Sequence, residues 1–116
     1  MIPNATENFR VFLKPGHTDM RKSFNGLAGI VQNQLRLDPY SRSLFGFCNK
    51  KANLLKIIYW DRNGFCIWQK RLEKDRFPWP RDKKEVLEIT AEELNWFLNG
   101  IDFRKAHGSL NLSLTG

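Results

Sequence analysis

The sequence predicts an α+β fold: a mainly antiparallel sheet of about four to five strands with a central meander, packed against one longer N-terminal helix and one short C-terminal helix. Three observations predict it. Between Ser43 and Leu72, runs rich in Phe, Ile, Tyr and Trp are separated by polar turns at residues 49–53 and 61–64, the spacing of a three-stranded meander. Upstream, Met20, Phe24, Leu27, Val31 and Leu35 recur at helical spacing and make one face apolar. Downstream, Thr90-Ala91-Glu92-Glu93 is a capping-box sequence, in which the Thr side chain and the Glu three residues later satisfy each other's orphan amides.

Taken in order, residues 9–13 alternate, with Phe9, Val11 and Leu13 on one side and Arg10 and Phe12 on the other, before the Pro15-Gly16 turn signal. This is a short strand. The first helix starts at Thr18 or Asp19, either of which can cap it, and stops at Asp38-Pro39 because the residue before proline resists helical geometry. The meander strands span approximately residues 44–48, 54–60 and 65–72, with Asn63-Gly64 the sharpest hairpin signal. Two registers are open: a two-residue loop pairs Tyr59 with Trp68, and a bulged loop pairs Ile58 with Trp68.

Phe77-Pro78-Trp79-Pro80 cannot continue an interior strand, since its prolines lack donors; it is either a cover over the sheet or an exposed arm. Residues 86–89 alternate as a short strand. The second helix follows, with Leu94, Phe97 and Leu98 on its apolar side and Gly100 suited to the left-handed residue that ends it. Residues 1–108 read as a single domain and residues 109–116 as a flexible tail.

Length and charge narrow the function. With 116 residues the chain is too short for a two-lobed enzyme with an interdomain cleft, yet long enough to hold a core without metal or disulfide support. No apolar run approaches the roughly 20 residues of a membrane helix, and the N-terminus lacks a signal pattern, so the expected location is cytoplasmic with no membrane partner. Cys48 and Cys66 read as reduced thiols in such a chain.

The formal net charge of +7 is local. Residues 50–84 hold eleven basic side chains (Lys50, Lys51, Lys56, Arg62, Lys70, Arg71, Lys74, Arg76, Arg81, Lys83, Lys84) against four acidic ones, while the remainder holds eight of each. Trp60, Trp68 and Trp79 share this stretch. Basic residues interleaved with aromatics suit a polyanion, because Lys and Arg neutralise phosphates and exposed rings stack on bases. The plainer reading is solubilising charge on a hairpin over core tryptophans.

Chemistry-bearing motifs are lacking. His17, His107, Cys48 and Cys66 have none of the short paired spacings of zinc sites. Asp19, Asp38, Asp61 and Glu73 are the carboxylates available to a metal-dependent nuclease, but the first three read as a helix start, a pre-proline turn residue and a hairpin residue. The sequence therefore predicts no catalytic residue, no metal site and no cofactor.

Three segments together carry a resemblance. They are Thr18-Asp19-Met20-Arg21-Lys22-Ser23-Phe24-Asn25-Gly26-Leu27, then residues 56–73 with Ile58-Tyr59-Trp60-Asp61-Arg62-Asn63-Gly64 and Trp68-Gln69-Lys70-Arg71-Leu72-Glu73, then Arg76-Phe77-Pro78-Trp79-Pro80. In these the chain resembles the small TnpB accessory proteins encoded beside the transposase in insertion sequences of the sixty-six type, over roughly residues 9–103. It departs from their pattern at Tyr59, where a second Trp is usual, and at Ser23, where Gly is usual. These proteins are distinct from the much longer RNA-guided nucleases that share the name TnpB.

The resemblance implies a bacterial mobile-element protein that helps its element transpose while a separate, larger transposase performs strand transfer. It implies no active site. The charge pattern supplies the mechanism expected here: non-catalytic DNA binding, at the element ends, through Arg62, Lys70, Arg71, Lys74 and Arg76, with Trp79 on a groove wall or a displaced base. Lys50, Lys51, Arg21 and Lys22 are further candidate contacts. The alternative is a protein-interaction subunit that docks on the transposase, or on another element-encoded accessory protein, through the Pro-Trp-Pro arm and exposed aromatics, with little DNA affinity of its own.

Overall fold

The computed structural model describes residues 9–82 and 84–100. In chain order the elements are β1 (Val11–Leu13), α1 (Phe24–Asn33), β2 (Leu44–Cys48), β3 (Leu54–Asp61), β4 (Gly64–Arg71), β5 (Leu87–Ile89) and α2 (Ala91–Leu98). The five strands form one sheet in the order β4-β3-β2-β1-β5. All neighbours are antiparallel except β1 and β2, so the α+β class and the central meander are as expected. A parallel pair needs a crossover, and residues 14–43 provide it, with α1 laid on one face of the sheet.

Strand alternation gives the sheet two apolar faces. On one, Phe12, Phe45, Phe47 and Ile58 pack under Leu27, Ile30 and Val31 of α1. On the other, Val11, Leu13, Leu44, Leu55, Ile57 and Ile89 meet Phe77, Trp79, Leu94 and Phe97. The chain is thus three layers: α1, the sheet, and a cover made by the Pro-Trp-Pro segment with α2. Of the two paths open to that segment, the structure takes the cover. Gly46 makes room for it: a Cβ there would stand 2.8 Å from Leu13 Cδ2 and 3.5 Å from Trp79 Cη2.

Two expectations need correction. The first helix is shorter than its apolar stripe, beginning after Ser23 rather than at Thr18 or Asp19. Side-chain bonds to the backbone win there: the Asp19 carboxylate accepts the Arg21 amide at 2.9 Å, and the distant Lys56 ammonium donates to the Met20 and Lys22 carbonyls at 2.8 and 3.1 Å. The helix ends before Asp38-Pro39. Arg36 adopts a left-handed φ of 59°, and the Leu37 amide donates to the Val31 carbonyl at 3.0 Å. Met20 and Leu35 still pack beside α1, whereas Phe24 is 44% exposed, so the stripe marked the buried side at every position but Phe24 and overstated the helix.

The hairpin register is neither of the two expected. Ile57 opposes Trp68, and Asp61 opposes Gly64, which leaves Arg62-Asn63 as the loop. Arg62, not Gly64, takes the left-handed conformation, with φ 56°, and the Asn63 amide turns back to the Asp61 carbonyl. The second helix has its capping box: the Thr90 amide donates to Glu93 Oε1 at 2.8 Å and the Glu93 amide to Thr90 Oγ1 at 3.0 Å. Gly100 has φ 76° at its end, as expected. The tail at 109–116 lies outside the described residues. No helix among the described residues is long and apolar enough to cross a membrane.

Candidate nucleic-acid interface

Strand direction decides where the charges go. β1, β2 and β4 end, and β3 begins, at one end of the sheet, so the loops 14–23, 49–53 and 72–82 all emerge there. Backbone bonds tie them into one rim. The Leu72 and Phe77 amides donate to the Asn53 and Ala52 carbonyls at 2.8 and 2.7 Å; Thr18 donates to Cys48 at 2.8 Å and Gly16 to Pro80 at 2.9 Å. The Arg81 guanidinium donates to the Lys50 carbonyl at 3.2 Å.

Asn49 organises the middle loop. Its Oδ1 accepts the Asn53 and Leu54 amides, each at 3.0 Å, while its Nδ2 donates to Asn53 Oδ1 at 2.6 Å. Ala52 is held at φ 58° with its methyl buried, which presents Lys50 and Lys51 outward on a fixed turn. Lys14 points inward: its ammonium donates to the Pro15 carbonyl at 3.3 Å, and burial pushes its pKa down. A cleft of about 190 Å³ opens in the rim, lined by Gly16, His17, Asn49, Lys50, Trp79 and Arg81.

Of the residues expected to bind, the rim gathers Lys50, Lys51, Lys74 and Arg76, all exposed. Arg21, Lys22 and Arg71 lie at the same end, but two of them are neutralised locally. Arg21 is paired with Asp19 at 2.7 Å and Arg71 with Glu73 at 2.9 Å, both pairs on the surface. The Arg21 guanidinium hydrogen-bonds the Asp19 carboxyl and holds its pKa down to about 2. Such exposed pairs stabilise little, and either arginine can exchange its carboxylate for a phosphate.

Three residues stand elsewhere. Arg62 occupies the opposite end of the sheet, an eight-residue strand away from Arg71, or about 25 Å at the usual rise per residue. It cannot act as one surface with Arg71, Lys74 and Arg76. Lys70 points to the α2 side, where its ammonium donates to the Leu98 carbonyl at 2.8 Å and satisfies the last turn of α2. Trp79 is only 6% exposed. Its indole N–H donates to the Lys14 and Gly16 carbonyls at 2.9 and 3.0 Å, and its ring meets Phe97 edge-on, so no ring face is offered to a base. All three placements depart from sequence proximity: a hairpin sets alternate residues on opposite faces and strand ends far apart, which moves Lys70 and Arg62, and the covering segment packs Trp79 into the core.

Sequence reasoning missed two features. Arg81 belongs to the rim by its bond to Lys50, a contact that only the folded loops create. At the far end Tyr40, Trp60 and Phe65 form an aromatic cluster, with ring centroids 5.0–5.4 Å apart and Tyr40 57% exposed. Tyr40 follows Pro39 in what reads as a loop, and nothing in its spacing announces the cluster.

Among the described residues no three His, Cys, Asp or Glu side chains converge to hold a metal ion. His107 and Lys83 lie outside them. Cys48 and Cys66 are free thiols, and burial pushes Cys48 up to about 12.

Comparison with known proteins points one way. The chain matches the family described as IS66 Orf2-like protein over residues 9–108. It is 41% identical over 104 residues to the uncharacterized protein y4hO of Sinorhizobium fredii (strain NBRC 101917 / NGR234), covering 90% of each chain. It is 31% identical over 100 residues to y4jC of the same strain, covering 86% of each. No solved structure matches it. The family match spans both the meander and the covering segment that build the rim, and the chain therefore belongs to the IS66 Orf2-like family of insertion-sequence accessory proteins.

Proposed function

We propose that the protein is a non-catalytic DNA-binding subunit of transposition, whose basic rim seats the phosphate backbone of the element ends while a separate transposase performs strand transfer. The observation that carries this reading is the convergence of Lys50, Lys51, Lys74, Arg76 and Arg81 on loops hydrogen-bonded to one another at one end of the sheet. Clustered cations focus potential where scattered ones do not. Each that meets a phosphate releases condensed counterions, which drives binding without base readout. Trp79 serves from beneath, holding the first loop by its two carbonyl bonds.

A titration with element-end duplex tests it. About five neutralised phosphates give log affinity against log salt a slope near −4.5, and each of Lys50→Gln, Lys51→Gln, Lys74→Gln and Arg76→Gln lowers its magnitude by about 0.9. Arg62→Gln, at the far end, leaves the slope unchanged. No binding at about 50 mM salt, or affinity independent of salt, overturns the reading. A flat titration points instead to the protein-docking alternative, which the exposed Tyr40, Trp60 and Phe65 cluster favours, since Tyr, Trp and Phe are enriched in protein interfaces.

A further inference from the structure

The two edges of the sheet differ. β5 is a three-residue strand, whereas β4 offers eight residues, contains no proline and, among the described residues, pairs on one side only, with β3. Proteins usually blunt an edge of that length, because its free amides and carbonyls are a template for another strand. The alternation of the ladder shows which groups are free. The Leu72 amide bonds to the Asn53 carbonyl, so Lys70, Trp68, Cys66 and Gly64, each two residues further along, also face β3. The amides and carbonyls of Phe65, Ile67, Gln69 and Arg71 therefore point away from the sheet.

The side chains of this edge are correspondingly unfinished. Phe65, Cys66, Ile67 and Trp68 are half-buried, whereas every residue of β2 is buried. The charges that would repel a second strand sit only at its end, and both are already engaged, Lys70 with the Leu98 carbonyl and Arg71 with Glu73.

We propose that β4 pairs antiparallel with β4 of a second copy of this chain, joining two five-stranded sheets across a two-fold axis. The strand's own charge pattern admits this occupant, and in one direction only. β4 is apolar at its start and cationic at its end, so a parallel mate would set cation against cation, while an antiparallel one sets each cationic end against an apolar end. Centred on Trp68, the pairing places Arg71 opposite Phe65 of the other copy, Lys70 opposite Cys66 and Ile67 opposite Gln69. The outward amides of both copies then meet as hydrogen-bonded pairs, and the two Trp68 rings become cross-strand neighbours. Such an isologous contact closes on itself and leaves no β4 edge for a third copy. It stands independently of the DNA reading.

Sedimentation equilibrium of the full-length chain, with amide hydrogen exchange in the same samples, tests the pairing. The expected result is a mass rising with concentration from one chain to two. Exchange at Phe65, Ile67, Gln69 and Arg71 should slow by on the order of tenfold or more as it does so, with Cys66, Trp68 and Lys70 protected throughout. Ile67→Pro removes an amide that points away from β3 and places its ring across the edge, so it should fold and remain monomeric. If that variant does not fold, exchange in the unmodified chain decides alone.

A mass of one chain at every concentration overturns the proposal. So does a dimer in which those four amides still exchange freely, or one that Ile67→Pro leaves intact. Protection that appears only when the transposase is added would assign the edge to that protein and likewise overturn self-pairing.

Discussion

Trp79→Phe separates a core residue from a binding platform. The substitution deletes an indole N–H shared between the Lys14 and Gly16 carbonyls, at 2.9 and 3.0 Å, and the part of the ring that lies over Gly46. Losing one net hydrogen bond costs about 1 kcal/mol. The vacated space and lost apolar burial cost about 1 to 2 kcal/mol more, since the surrounding Leu13 and Phe97 can only partly collapse into it. The expected loss is therefore about 2 to 3 kcal/mol, and Trp79→Ala should reach the range of about 3 to 5 kcal/mol for a buried aromatic. Urea unfolding followed by far-UV circular dichroism measures it. With a slope of about 1 to 3 kcal/mol per molar for a small protein, the Phe variant's midpoint should fall by about 0.7 to 3 M. DNA affinity, measured well below the transition, should stay unchanged. An unaltered midpoint with weakened DNA binding would refute the reasoning and restore Trp79 as a contact.

The remaining predictions concern pH and a helix end. Asp19 is held below its ordinary value of 3.8, to about 2, by Arg21. A depressed carboxyl contributes stability that is present above its unfolded pKa and lost as the pH falls through the folded one, so the window is about pH 4 down to about 2. Acid titration of stability should show Asp19→Asn with a shallower decline than the parent across that window, by a small margin because the pair is exposed. Thr90→Ala removes one arm of the capping box and should lower stability by about 1 kcal/mol in thermal or urea melts. A melt indistinguishable from the parent would mean that α2 is held by Leu94 and Phe97 alone.

Much of this architecture is written in local chemistry. Alternation marked β1 and β5, runs rich in Phe, Ile, Tyr and Trp between polar turns marked β2 to β4, and the capping box marked α2 because two orphan amides need those side chains. What escaped was decided over distance. The start of α1 is set by Lys56, more than thirty residues away, taking the carbonyls of Met20 and Lys22. The register of β3 and β4 is set by packing on both faces, which overrode the Asn63-Gly64 turn preference and put Arg62 at a positive φ. The candidate interface was half legible. The charge excess at residues 50–84 marked the loops that form the basic rim, but strand direction sent Arg62 to the other end, pleating turned Lys70 inward, and Gly46 drew Trp79 into the core.

The placement of β1 bears on how the chain acquires this structure. It lies inside the sheet, with Val11 beside Leu44 on one flank and Ile89 on the other. The meander closes through short loops and can form as soon as residue 71 is made, while β1 has only one of its two neighbours until residue 89 has been synthesised. Contacts so distant in sequence form slowly, because loop closure precedes any gain from pairing. On the ribosome, the first strand made is then among the last to be locked in. Until α2 and β5 arrive, the nascent chain exposes the apolar face that they will cover, together with a second open sheet edge.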